Sequence, residues 1–297
     1  MKSVLRSVAV AAALPLLSAG CVVVDSQGHV VRDEKRFTVA GPPELHLNTF
    51  DGAIEIRASD DARAVTIEIE KRGPTQEAID ELKIETKQDG NRIDVDVKKP
   101  NREVIFFGIG HMTPSASLIV TMPRAGSVAA RSGDGAIRIT GVRGRLDLHT
   151  GDGSIRGSEI GGQMSVVTGD GSVTLDAADG DLDVDTGDGS VSVTGKLAAV
   201  KLHTGDGAIT FRADPGTVMK DDWSVTTGDG SVALSLPSDF GAELDAHTGD
   251  GSIRSELQLA NETKGDENRR TLRGRLGAGG KTLTIRTGDG SIRLKTS

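Results

Sequence analysis

Aromatic side chains are nearly missing from this 297-residue chain, which holds six Phe, one Trp and no Tyr. Its core must therefore be built from thin layers of Val, Ile, Leu and Ala, and sugar binding by ring stacking has almost nothing to work with. Cysteine occurs once, at Cys21, so no intramolecular disulfide can form. Beyond the N-terminus no run approaches the roughly 18 apolar residues of a membrane helix. Positive charge is also short, at 35 Lys+Arg against 43 Asp+Glu for a formal charge of -8. That balance opposes nucleic-acid binding and offers no polybasic signal for anionic lipid. Missing too are a His-x-x-x-His helix, a phosphate loop opening a helix and a local serine-nucleophile motif, so no enzyme is expected.

Glycine, by contrast, is abundant, with 39 residues. Gly-Asp-Gly occurs eight times, its aspartates at Asp134, Asp152, Asp170, Asp188, Asp206, Asp229, Asp250 and Asp289. The first five are each 18 residues apart, and later spacings of 23, 21 and 39 read as the same unit with inserts. A fixed short period marks a stacked repeat. Each unit splits into two halves, a turn followed by an alternating strand, as in GDGSVTLDA and ADGDLDVDT from residue 169 onward. The apolar pairs of the first half include Ile137/Ile139, Val173/Leu175, Val191/Val193, Ile209/Phe211, Val232/Leu234 and Ile292/Leu294; those of the second include Leu146/Leu148, Met164/Val166, Leu182/Val184, Val200/Leu202, Trp223/Val225, Leu244/Ala246 and Leu283/Ile285. Period-two alternation puts each pair on one strand face, and repetition stacks the strands in parallel about 4.8 Å apart. The expected fold is an all-β parallel β-solenoid, a two-sheet roll, with a three-faced coil of equal length as the alternative. Glycines answer the need for positive φ or close backbone approach at the corners. The threonine ahead of most motifs (Thr150, Thr168, Thr186, Thr204, Thr227, Thr248, Thr287) should form a corner ladder bonded to its neighbours.

Ahead of the repeats, Lys2 and Arg6 precede an apolar run that ends in Leu17-Ser18-Ala19-Gly20-Cys21. This is the layout of a secretory signal. It resembles a bacterial lipoprotein signal, which implies cleavage before Cys21, acylation of that cysteine (palmitate among the acyl chains) and a membrane partner reached through the anchor. Val22 rather than Asp follows, which by the same resemblance favours the outer membrane. Loss of residues 1–20 leaves 33 basic against 43 acidic residues, a charge of -10. Residues 21–36 read as a polar tether, 37–130 as an irregular β-rich lobe capping the solenoid, and 131–297 as the repeat, with a polar insert at 255–280 projecting as a loop or hairpin. Within the lobe, strands are expected at 45–48, 53–57, 65–70, 92–97 and 117–122, and a helix at 75–82.

Residues 37–297 resemble a family of bacterial exported β-strand-repeat proteins classed as putative adhesins or as a domain of unknown function. The residues carrying the resemblance are Leu118-Ile119-Val120-Thr121-Met122-Pro123-Arg124, the repeated Thr-Gly-Asp-Gly-Ser-Ile/Val, and the closing Gly274-Arg275-Leu276-Gly277-Ala278-Gly279-Gly280-Lys281. The resemblance implies the fold; the adhesin label is itself inferred from the architecture.

Three groups of residues are candidates for chemistry. The eight aspartates, stacked at strand spacing, repel one another, and calcium is the cofactor such a row could hold. The competing reading has each Asp accept amide bonds inside its own turn. His149, His203 and His247 share one repeat position facing solvent, with about 14 Å between the first two, too far for one metal. Phe106, Phe107 and Ile109 lie in an apolar break in the pattern, either a buried strand of the lobe or a partner contact. On the outward positions of the first strand run Arg138, Arg156, Thr174, Ser192, Thr210, Ala233, Arg254 and Arg293. The expected function is noncatalytic: an envelope lipoprotein presenting a repetitive surface to an envelope polymer or protein, for adhesion or envelope sensing. A calcium-binding β-roll and a carbohydrate-active β-helix enzyme are the alternatives.

Overall fold

The computed structural model describes residues 22–25, 28–99, 114–265 and 270–297. Cys21 and the segment holding Phe106, Phe107 and Ile109 lie outside the described residues. Among those described, 24 strands join into one hydrogen-bonded network with a single short helix. The network is a parallel β-solenoid. Each regular coil contributes one strand to each of two stacks, as with Arg143–Thr150 and, after the Gly-Asp-Gly turn, Ile155–Ser158. Strands Val173–Thr186 and Val191–Thr204 run round the opposite corner, which is why the two stacks join. The register follows the repeat: Ile137 lies beside Ile155, Ile155 beside Val173, and Val173 beside Val191.

Every apolar pair named from the alternation is buried, in one continuous core. Val142, Ile160, Ala178 and Leu197, from the irregular corner, complete each layer. Where the period lengthens, Trp223 packs edge-on against Phe211 and tilted against Phe240, at centroid distances of 5.4 and 5.3 Å, and its indole N–H donates to the Ala198 carbonyl.

The regular stack extends further toward the N-terminus than residue 131. Strands Glu44–Thr49 and Ile54–Ser59 form a coil with a degenerate turn at Asp51, paired in parallel with Ser127–Ser132 and Ile137–Thr140. Arg92–Lys98 and Ser115–Pro123 form another coil outside it. The lobe therefore consists partly of solenoid coils, out of chain order. The last coil behaves in the same way: Thr282–Thr287 and Ile292–Thr296 slot between the coil of Trp223–Thr227 and Val232–Leu236 and the coil of Ala242–Thr248 and Ile253–Ser255.

Both ends are closed by antiparallel strands. At the N-terminal end Ala64–Gly73 pairs with Ser115–Pro123, and Gly28–Thr38 pairs with Ala64–Gly73. Residues read as tether are thus two strands, Val22–Asp25 folded back on the start of Gly28–Thr38, the longer one disguised by its charges; inward-facing Asp33 and Lys35 suit an edge that must not recruit another chain. Lys35 Nζ donates to Thr86 Oγ1 and Gln88 Nε2 to the Thr38 carbonyl, tying this edge to Lys83–Asp89, the edge of the other stack. The helix Gln76–Asp80 is capped by Thr75, whose hydroxyl accepts from the Ala78 amide, and it buries Ala78 and Ile79. At the far end the insert does not project. Its strand Thr271–Leu276 pairs antiparallel onto Ala242–Thr248, and Leu259–Gly265 pairs antiparallel onto Thr271–Leu276, capping the stack because the outer edge of that coil needs hydrogen-bond partners.

The Gly-Asp-Gly corners rest on close approach rather than on positive φ. A Cβ on Gly169 would lie 2.7 Å from the Gly151 carbonyl oxygen, and on Gly171 it would lie closer still to the Gly153 carbonyl oxygen. Positive φ belongs to the opposite corner, at Gly162 (109°) and Gly180 (116°). The threonines are buried, and their hydroxyls bond to glycine carbonyls of the neighbouring coil rather than to one another: Thr150 Oγ1 lies 3.0 Å from the carbonyl oxygens of both Gly133 and Gly135. In several turns the same oxygen accepts the second glycine's amide, as Thr204 does from Gly207. Gly171→Ala is expected to cost on the order of 3 kcal/mol and Gly169→Ala less, because the colliding group is backbone and cannot move aside. Thr186→Val, isosteric but unable to bond the buried carbonyls, should cost about 1–2 kcal/mol. Chemical denaturation followed by circular dichroism checks all three.

Candidate functional site

With turn amides and carbonyls consumed by the ladder, the aspartates are left outside it. All eight are exposed. In six of the eight turns the first glycine's amide donates to the first glycine's carbonyl of the neighbouring coil, as Gly187 does to Gly169, and the second glycine's amide goes to the threonine, or in the first turn to Ser132, where it is bonded. The structure therefore corrects the reading in which each Asp accepts amide bonds inside its own turn. Asp250 alone of the eight has a side-chain bond, accepting from Arg270 at 2.9 Å. Coil threading also reorders the row, so that Asp289 stands between Asp229 and Asp250.

Among the described residues no group of three or more His, Cys, Asp or Glu is placed to hold a metal. In a single row at strand spacing, an ion between two coils reaches two carboxylates; the next are about 9.6 Å apart, beyond the reach of calcium bonds of 2.3–2.6 Å. His149, His203 and His247 are exposed at equivalent positions, three coils apart. His247 Nδ1 bonds to Thr271 Oγ1.

The remaining surface is two long faces. On the face of the shorter strands, the outward column reads Glu55, Arg138, Arg156, Thr174, Ser192, Thr210, Ala233, Arg293, Arg254 in register order. The opposite face carries an open groove of about 870 Å³ spanning four coils, lined by Arg145, Asp147, Gln163, Asp181, Asp183 and Lys201 and walled by Asp221 and Asp222. That wall belongs to the loop which lengthens the period, and period-two alternation could not reveal the groove because it depends on the insert's course.

The strongest ion-pair clusters brace the ends. Asp245 accepts from Arg286 and Arg273 on the two strands flanking it. The Arg286 guanidinium holds the Asp245 carboxyl below the usual carboxylate range; partial burial opposes this and Arg273 assists. At the other end burial pushes Glu70 up, but hydrogen bonds from Arg32 and Arg72 more than offset it, leaving its carboxyl low as well.

A family model described as Toastrack DUF4097 matches residues 43–295. Nothing among curated proteins matches the sequence. Among solved structures, the fold is similar to that of a protein from Parabacteroides distasonis described as a putative lipid binding protein, with 12% identity, a TM-score of 0.51, and coverage of 89% of this chain and 96% of that one. Weaker similarity extends to a putative adhesin from Bacteroides fragilis (11% identity, TM-score 0.41, 89% and 96%) and to a putative cell adhesion protein from Clostridium sporogenes (12%, 0.27, 90% and 100%).

Two measurements test the site. Thermal melting in chelator and in millimolar calcium is expected to coincide, since a ligand of the folded state alone would raise the midpoint. The low carboxyls of Asp245 and Glu70 add stability that is complete above their unfolded values near pH 4 and is lost as pH falls through their folded values. Asp245→Asn should therefore lower stability by about 1 kcal/mol at pH 7, with the difference from wild type closing below pH 4 in a pH series of melts.

Proposed function

Since this chain belongs to the Toastrack DUF4097 family, whose solenoid spends its turn chemistry on itself, we propose that it is a noncatalytic lipoprotein of the bacterial envelope that displays a repetitive β-surface for adhesion or envelope-sensing contacts. The observation that carries this reading is the division of labour in each coil. Corner hydroxyls and many of the corner amides bond within the scaffold, inward side chains form the core, and outward positions alone are free to vary. Such a surface suits contact with something extended and repeating. The groove is open and spans coils, a shape that fits a chain better than a small substrate held for reaction.

Attachment rests on the N-terminal signal. Acylation of Cys21 places the membrane close to the body, because Val22–Asp25 already pairs antiparallel with the start of the strand Gly28–Thr38. No described helix is long and apolar enough to cross a membrane, and the anchor supplies the attachment in this reading. Expression of the full chain in a two-membrane bacterium with a radiolabelled fatty acid should give a labelled protein in the outer-membrane fraction. Cys21→Ser should abolish the label and release the protein from membranes. An unlabelled wild-type chain would remove the lipoprotein reading.

A further inference from the structure

The face of the shorter strands is basic on a protein whose net charge is negative. Arg138 and Arg156 are direct neighbours across strands, as are Arg293 and Arg254. Like charges placed opposite one another destabilise a sheet. None of these four arginines makes an ion pair with a described acid, and neither do Arg212 and Lys295, one column over on the same face. Glu55, beside Arg138, is already held by Arg57. By contrast, Arg131, Arg273, Arg286 and Lys220 on the opposite face each hold an aspartate. The acids among the corresponding outward positions from residue 137 onward are Asp176, which accepts from Thr194, and Glu256, level with Lys295 at the end of the column, against six basic residues.

Between the arginine pairs lie Thr174, Ser192, Thr210 and Ala233, small and mostly hydroxylated, so Arg156 and Arg293 stand five strand steps, about 24 Å, apart. A second hydroxyl column runs alongside at Ser154, Ser172 and Ser190, and Arg156 is steadied by Ser154. The turn aspartates border this face at the corner, four residues ahead of the arginine column in sequence.

We propose that this face is a docking strip for an acidic polysaccharide lying along the solenoid axis, its carboxylate, sulfate or phosphate groups seated on the two arginine pairs and its hydroxyls on the Ser/Thr columns. The inference rests on the display reading above and names the ligand class. Charge complementarity selects an anion. The hydroxyl rows, repeating at a strand spacing close to the rise of one sugar in an extended glycan, select a polymer of sugars. A lipid surface fits less well, because the exposed large apolar side chain of the described residues, Val218, is on another part of the molecule. A neutral glycan lacks both the charge and the aromatic platforms it would need.

The test uses the full chain purified in detergent, with polygalacturonate as the acidic probe and dextran as the neutral one, in affinity electrophoresis. Wild type should be retarded by polygalacturonate, less so as salt rises, and not by dextran. Removing either pair (Arg138→Ser with Arg156→Ser, or Arg254→Ser with Arg293→Ser) should weaken binding at least tenfold, and removing both should abolish it. These variants should melt no lower than wild type, because each relieves like-charge repulsion. Lys83→Ser with Lys87→Ser, on the N-terminal edge strand, makes the same change in charge and should leave binding intact. Equal loss in the lysine control, or no retardation of wild type by polygalacturonate, overturns the proposal. It is overturned as well if light scattering shows an oligomer that the arginine variants disperse, since the face then joins copies of this chain. Membrane release by Cys21→Ser is read separately, so failure of the ligand and failure of the envelope reading are distinguishable.

Discussion

The structure depends on one close approach. At every Gly-Asp-Gly corner the carbonyl of one coil occupies the space where the next coil would carry a Cβ. This lets consecutive coils stack at strand spacing through their turns as well as their strands, and it makes register nearly binary. A slip of one residue would push Asp or Ser into a gap that admits only glycine. The buried threonine completes the corner by covering carbonyls that would otherwise be dry and unpaired, and no buried side-chain polar atom among the described residues lacks a partner. Strand pairing, core layering and the flatness of both faces follow from that lock, since each coil copies the position of the one before.

Much of this architecture was legible because the period and the alternation report the same geometry twice. Every core pair from Ile137/Ile139 to Leu283/Ile285 is buried, and in the first lobe strands near 45, 65 and 92 and the helix after Thr75 lie within a few residues of their expected places. Three features were not legible, each for a physical reason. The strand Gly28–Thr38 is pinned by backbone pairing at an edge, where charge is an advantage and hydrophobic alternation is weak. The insert reads as a projection because its polarity suits solvent, yet its backbone is what closes the last coil. The role of the aspartates was misassigned because local turn chemistry favours Asp as an amide acceptor, while stacking hands the glycine amides to the neighbouring coil and to threonine. For the candidate surface, the arginine positions were visible, but their lack of ion partners was not. That depends on which acids the other columns bring near.

The two faces differ in a way that average charge conceals. In a repeat, outward positions have no core to fill, so their side chains are selected by solubility or by a partner. Solubility alone would intersperse signs, as on the face where Arg131, Arg273, Arg286 and Lys220 each meet an aspartate. Two pairs of neighbouring unpaired arginines on a chain of charge -8 run against that expectation and cost stability. An anionic partner is the simplest compensation.

The out-of-order coils change what kind of object the solenoid is. A simple solenoid adds coils one by one, each touching only its neighbours, and can fray from an end at little cost. Here the coil at residues 282–296 is gripped on both sides by earlier parts of the chain, and Glu44–Ser59 lies inside a coil made later. Neither end can peel away without first breaking a pairing far along the sequence. Those pairings must also form late, after the intervening chain is placed, which adds long loop closures to a fold already slow by its parallel topology. The benefit is a rod with fixed ends, so a face presented along the rod holds a constant geometry.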